Sequence, residues 1–151
     1  MNNPFTTRLF ALKADLANLK IIFRSQALGR PWKDVQNELV TGSTLPEMTE
    51  EPYTADRQEL IDRVSFDLPE PVKQALRLYA ESGMLSDLEK ALEEAEMDVV
   101  RSAKLIGYGP EVLVAYVYAV RNATRNVRLI MTGKVNEIDP ETIKPRVRAL
   151  Y

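Results

Sequence analysis

Arg121, Arg125 and Arg128 stand four and three residues apart, the spacing that places side chains on one face of a helix. Val120, Ala123, Val127 and Ile130 follow the same period one step round, forming an apolar stripe beside the charged one. A guanidinium group grips a carboxylate through paired hydrogen bonds, so the chemistry on offer is recognition of an acidic surface. Two sources of carboxylate are open. A partner protein can present an acidic patch, or the chain can supply its own, since Glu89, Glu93 and Glu96 form an acidic stripe at helical spacing. Lys20 and Arg24, on an earlier helix of similar sequence, complete the candidate partner surface. Nucleic acid is not an expected ligand, because the net charge is -2 and no nucleic-acid motif accompanies the arginines.

Carboxylates are the other groups able to do chemistry. Glu93, Glu94, Glu96 and Asp98 are oxygen ligands of the kind hard cations take, but no glycine-bearing calcium loop joins them, and they read as a solvated helix face. The chain has no histidine and no cysteine. That removes Ser-His and Cys-His nucleophiles, thiolate metal sites, disulfides and the Glu-x-x-His helices of di-iron proteins. No Gly-x-x-x-x-Gly-Lys-Ser/Thr loop is present, and Gly133-Lys134 reads as a helix stop. No catalytic residue, metal or cofactor is expected. Asn18 and Asn126 read as structural polar residues bonded to backbone, or else as partner contacts.

A set of helices must position these groups. Thr6 or Thr7 caps the first, whose apolar residues Leu9, Leu12, Leu16, Leu19 and Phe23 recur at helical spacing before Gly29. Pro31 opens a short helix closed by Thr41-Gly42, and residues 43–53 read as a loop. Further helices are expected over 54–66, from Pro69 to Gly83, and from a capping box at Ser86-Asp87-Leu88-Glu89 to Gly107. Pro110 starts the last long helix, which stops at Gly133. Its apolar run Val112 to Val120 is too short to cross a bilayer and reads as a helix buried by protein. A final helix is expected from Asp139 to Tyr151, kinked by Pro145. No alternating strand pattern or hairpin turn occurs, so the expected fold is all-α with about seven helices.

Composition agrees with a globular chain: 151 residues, 45% apolar and 28% charged, suffice for a cooperative core. The charge is unevenly laid out. Residues 1–40 carry six basic against three acidic side chains, 41–100 five against fifteen, and 101–151 nine against four. Such a layout fits acidic and basic helices lying side by side or facing water. The apolar run after Arg8 is broken by Lys13 and Asp15, unlike a signal peptide core, so a cytoplasmic location is expected.

The chain also repeats itself. A shift of 108 positions lays Phe10, Ala11, Leu12, Lys13, Asn18, Leu19, Lys20, Ile21 and Ile22 on Tyr118, Ala119, Val120, Arg121, Asn126, Val127, Arg128, Leu129 and Ile130. A repeated unit is a packing module stacked on copies of itself. The expected organisation is the C-terminal part of a preceding repeat in residues 1–43 and a complete repeat in 44–151. The front of the first module is then missing, and the chain is expected to be a fragment.

Gly109-Pro110-Glu111, Ala115-Tyr116, Arg125-Asn126-Val127-Arg128-Leu129-Ile130, Gly133-Lys134, Pro140-Glu141, Ile143, Arg146 and Leu150-Tyr151 closely resemble the C-terminal pattern of the C-subunit family of V/A-type ATPases. That family includes the eukaryotic d-type protein. Ala14-Asp15-Leu16-Ala17-Asn18-Leu19-Lys20 with Arg24 resembles the matching helix of its middle repeat. The resemblance implies a funnel of three helical modules, of which this chain supplies the last and part of the middle one. It implies a non-catalytic coupling subunit that seats the rotor shaft on the membrane rotor ring. Its partners are then those shaft and ring subunits, and it is peripheral to the membrane. The sequence departs from the family at Arg121 and Ala123, where many relatives carry acidic residues. The alternative expectation is a helical scaffold that binds a peptide or regulatory protein. An enzyme built on the acidic cluster ranks behind both.

Overall fold

The computed structural model describes residues 3–65 and 68–148, in which every regular element is a helix. The all-α expectation holds. The chain forms two compact units, residues 1–92 and 93–151.

In the first unit, α1 (Pro4–Ala27) is capped by Asn3 rather than by Thr6 or Thr7, since Asn3 Oδ1 accepts from the Thr6 N–H at 3.1 Å. Pro4 sits in the first turn, where its missing N–H costs nothing. The helical period then carries Leu9, Leu12, Leu16, Leu19, Ile22 and Phe23 into the core. The short helix α2 (Trp32–Val35) tightens into a 3-10 turn at Gln36–Glu38 and turns extended at Leu39, earlier than Thr41-Gly42 suggests. Part of the expected loop is helix α3 (Glu50–Thr54), with two glutamates in its first turn complementing the helix dipole. Asp56 caps α4 (Arg57–Val64), accepting from the Glu59 N–H at 2.9 Å. The next helix, α5 (Glu70–Ser82), stops at Gly83, whose φ of 68° suits a residue without Cβ.

These helices share one apolar interior. α3 packs on α1, α2 and α4, and α4 on α5. Phe23 meets Tyr79 edge-on with ring centres 5.3 Å apart, and Trp32 lies 5.2 Å from Tyr53. Next comes α6 (Leu85–Ser102), which runs on into a 3-10 turn at Ala103–Leu105. The expected capping box at Ser86 does not form. Asp87 and Leu88 donate instead to the Met84 carbonyl, which puts Ser86 inside the first turn. Freed of that duty, Glu89 pairs with Arg24.

The second unit takes in the end of α6 from Glu93 with its 3-10 turn, then α7 (Pro110–Val135), α8 (Pro140–Ile143) and a 3-10 turn at Lys144–Arg146. The expected helix from Asp139 to Tyr151 is therefore a single turn. Pro145 has no N–H to continue α8, and by Val147 the backbone is extended, so proline ends the helix instead of kinking it. Residues 149–151 of that expectation lie outside the described residues. Among the described residues the run Val112–Val120 is exposed along most of its length, not buried as expected. Leu113, Tyr116, Val117 and Val120 are exposed and Ala115 is buried, because within the unit α7 packs on little besides the 103–105 turn and α8.

The repeat recurs element by element. α1 ends at Ala27 and α7 at Val135, while α2 and α8 and the two 3-10 turns after them keep the same offset of 108. Each long helix closes identically. Arg30 donates to the Ser25 carbonyl and Ile138 to that of Gly133, around left-handed Gly29 (φ 65°) and Glu137 (φ 53°).

Candidate functional site

The arginine face is carried by α7. Pro110 sits in its first turn, where a missing N–H costs nothing, and Glu111 and Lys134 suit the two ends of the helix dipole. Asn126 fixes the extended segment beyond α8. Its Nδ2 donates to the Arg148 carbonyl at 2.9 Å and its Oδ1 accepts from the Arg148 N–H at 3.0 Å. Asn18 does the same for Val40, at 3.0 and 2.7 Å. Both asparagines are buried, so the structural reading of these residues holds.

The five candidate partner residues differ in how they are engaged. Arg125 reaches Glu93 at 3.0 Å, and Arg148 Nε reaches the same carboxylate oxygen at 2.6 Å. One glutamate thus holds two guanidinium groups. Arg24 is committed to Glu89, again one of the predicted acidic stripe. Lys20 is half-buried and already interacts with a neighbour. Arg121 and Arg128 differ: they are exposed, and among the described residues no ion pair engages them.

Two anchoring residues escaped the sequence reading. Arg148 is the more enclosed partner of Glu93, with 17% of its side chain exposed against 59% for Arg125. Nothing in its local spacing marks it, since the pairing depends on Asn126 drawing in the backbone at 148. Asp15, buried at 3% exposure, is the second. Its carboxylate accepts from Ser43 Oγ, Thr44 N–H and Thr44 Oγ1, each at 2.6 Å, and from the Leu45 N–H at 3.2 Å. Four donors compensate the loss of hydration of this charge. Ala123 stands at the matching repeat position and can hold nothing of the kind, so the repeat itself gave no warning of the role.

At the other end of α1, Arg30 and Glu38 pair across the turn into α2. The side-chain hydrogen bond from Arg30 holds the Glu38 carboxyl below its ordinary range. Tyr53 Oη donates to the Arg30 carbonyl at 2.8 Å, and burial pushes its phenol above the usual tyrosine value.

Among the described residues no group of acidic side chains is arranged to hold a metal, and no helix is long and apolar enough to cross a membrane. What the described surface offers is two arginines with no ion pair among the described residues, beside an exposed apolar stripe. Residues 1–146 match the family described as ATP synthase (C/AC39) subunit. No curated protein and no solved structure matches the chain.

Proposed function

The chain belongs to the ATP synthase (C/AC39) subunit family, and from that premise we propose that it is a non-catalytic central-stalk subunit of a V/A-type rotary ATPase. In this reading it links the rotor shaft to the membrane rotor ring and passes torque between ATP chemistry and ion transport. The ion is a proton or sodium. The observation that carries the proposal is the family match, which spans nearly the whole sequence. Residues 1–43 then form the C-terminal part of one helical repeat and 44–151 a complete second one, a division supported by the common offset of their elements.

Torque transfer needs stiffness, and the packing supplies it. The buried apolar face of α1, its side-chain cap and the asparagine-to-backbone bonds of both repeats resist local unfolding under load. The protein sits on the membrane side of the complex through the ring, without inserting. Arg121 and Arg128 serve as contacts to an acidic partner, whereas Arg24 and Arg125 act chiefly within the fold.

The test is to mix the protein with the purified shaft subunits of the same ATPase at low salt and separate by size. A stable complex is expected; its absence contradicts the reading. The exposed apolar stripe of α7 favours a second reading, a helical scaffold for an unrelated peptide or regulatory protein. Binding to such a protein, without any to ATPase subunits, would select it.

A further inference from the structure

Five apolar side chains of α7 lie on the surface where α1 buries their counterparts. Val117, Val120, Val127, Ile130 and Met131 are 37% to 61% exposed, while Leu9, Leu12, Leu19, Ile22 and Phe23, each 108 positions earlier, are 0% to 5% exposed. The chemical character is kept although the cover is not. On α1 that cover includes an amphipathic helix, since Phe23 packs against Tyr79 of α5.

The stripe on α7 has the period of a two-helix seam. Leu113, Val117, Val120, Thr124, Val127 and Met131 alternate steps of four and three, the pattern by which a helix keeps one face toward a partner helix. Arg121 and Arg128 stand seven apart, each following an apolar seam residue, and so flank the seam on one side. Both are exposed and carry no ion pair among the described residues. The matching residues beside the covered seam of α1 are Lys13 and Lys20, and both of those are engaged. A covered seam with engaged flanking cations is thus the arrangement this packing unit adopts when complete.

We propose that α7 seats an amphipathic α-helix of another protein, whose apolar edge fills the seam from Leu113 to Met131 and whose carboxylates pair with Arg121 and Arg128. The inference deepens the adaptor reading and rests on it for the existence of a partner. A second copy of this chain fits less well. Two α7 helices packed antiparallel set arginine flank against arginine flank, which is repulsive, and packed parallel set the arginines against Tyr116, Ala123 and Ile130, so neither arrangement supplies a carboxylate.

Two synthetic helical peptides with the same leucine seam, one flanked by glutamate and one by lysine, are titrated against the full chain by fluorescence anisotropy. The glutamate peptide is expected to bind at least about tenfold more tightly than the lysine peptide. The double substitution R121E/R128E, on exposed side chains, should reverse that preference, and V120S/V127S should weaken both peptides, with circular dichroism confirming folded variants. Equal binding of the two peptides, no binding, or a preference unchanged by R121E/R128E overturns the proposal. So does a dimer that V120S/V127S dissolves, since the occupant is then a second copy. Peptide binding without a shaft complex would keep this surface and remove the rotary partner, so the two readings fail separately.

Discussion

Asn18 and Asn126 make the same pair of hydrogen bonds to backbone 22 residues downstream, one to Val40 and the other to Arg148. In each case an amide side chain stands in for a strand, offering one donor and one acceptor to the residue just past the extended one, Leu39 or Val147, that ends the 3-10 turn. The short helix is thereby clamped along the long one. Each substitution N18A or N126A leaves a backbone N–H and C=O without partners. We expect each to cost about 1–3 kcal/mol, read from urea unfolding. No change in midpoint would mean that water replaces the amide freely.

Gly133 and Ile143 set how closely α8 approaches α7. A Cβ on Gly133 would collide with Ile143 Cδ1 and lie 3.0 Å from its Cγ1. G133A should therefore destabilise by about 1–3 kcal/mol through overpacking. The first copy shows the remedy: Ser25 and Val35 occupy the matching positions, and both are buried. The pair G133S/I143V should recover most of the loss, measured as Tm. If the double variant is worse than G133A, the two copies pack differently.

Glu93 joins Arg125 and Arg148 unequally. The Arg148 pair is enclosed on both sides, with side chains 17% and 20% exposed, whereas Arg125 is largely in water. Double-mutant cycles should give the Arg148–Glu93 pair about 1.5–3 kcal/mol, as for hydrogen bonds to charged groups. The Arg125–Glu93 pair should give about 0–1 kcal/mol. The reverse order would move the anchor of the unit from Arg148 to Arg125.

Tyr53 makes the first unit sensitive to alkali. Burial raises its phenol above the ordinary value of about 10. The raised group contributes stability that is complete below the unfolded value and is lost as pH rises through the folded one. Unfolding midpoints should thus fall above about pH 10, and Y53F should flatten that slope. It should also cost about 1 kcal/mol at neutral pH for the bond to the Arg30 carbonyl. An identical alkaline slope in Y53F would assign it to other groups.

The helices were legible because their apolar period and their proline and glycine punctuation are local. α1, α5 and α7 lie close to where Leu9 through Phe23, Pro69 to Gly83, and Pro110 place them. Caps were harder, since Asn3 and Asp56 compete with nearby threonines and glutamates on geometry that spacing does not reveal. The Ser86 box failed because the helix begins one residue earlier, at Leu85, which leaves Glu89 to meet Arg24, a residue 65 positions away. Of the candidate site, the arginine face and its acidic partners could be read. Which arginine meets which glutamate could not, because it depends on which helices the tertiary packing sets side by side. The exposure of α7 was hidden for the same reason: its sequence is that of a covered helix, like α1, and only the three-dimensional packing shows its apolar stripe exposed among the described residues.

The central claim is mechanical coupling without chemistry, and ion transport by the reconstituted rotary complex tests it most directly. Complexes depleted of this protein should still hydrolyse ATP in the catalytic head but should not drive ions across the vesicle membrane, and adding it back should restore transport. Unimpaired ATP-driven transport in its absence, or loss of hydrolysis from the isolated head when it is removed, would contradict the account.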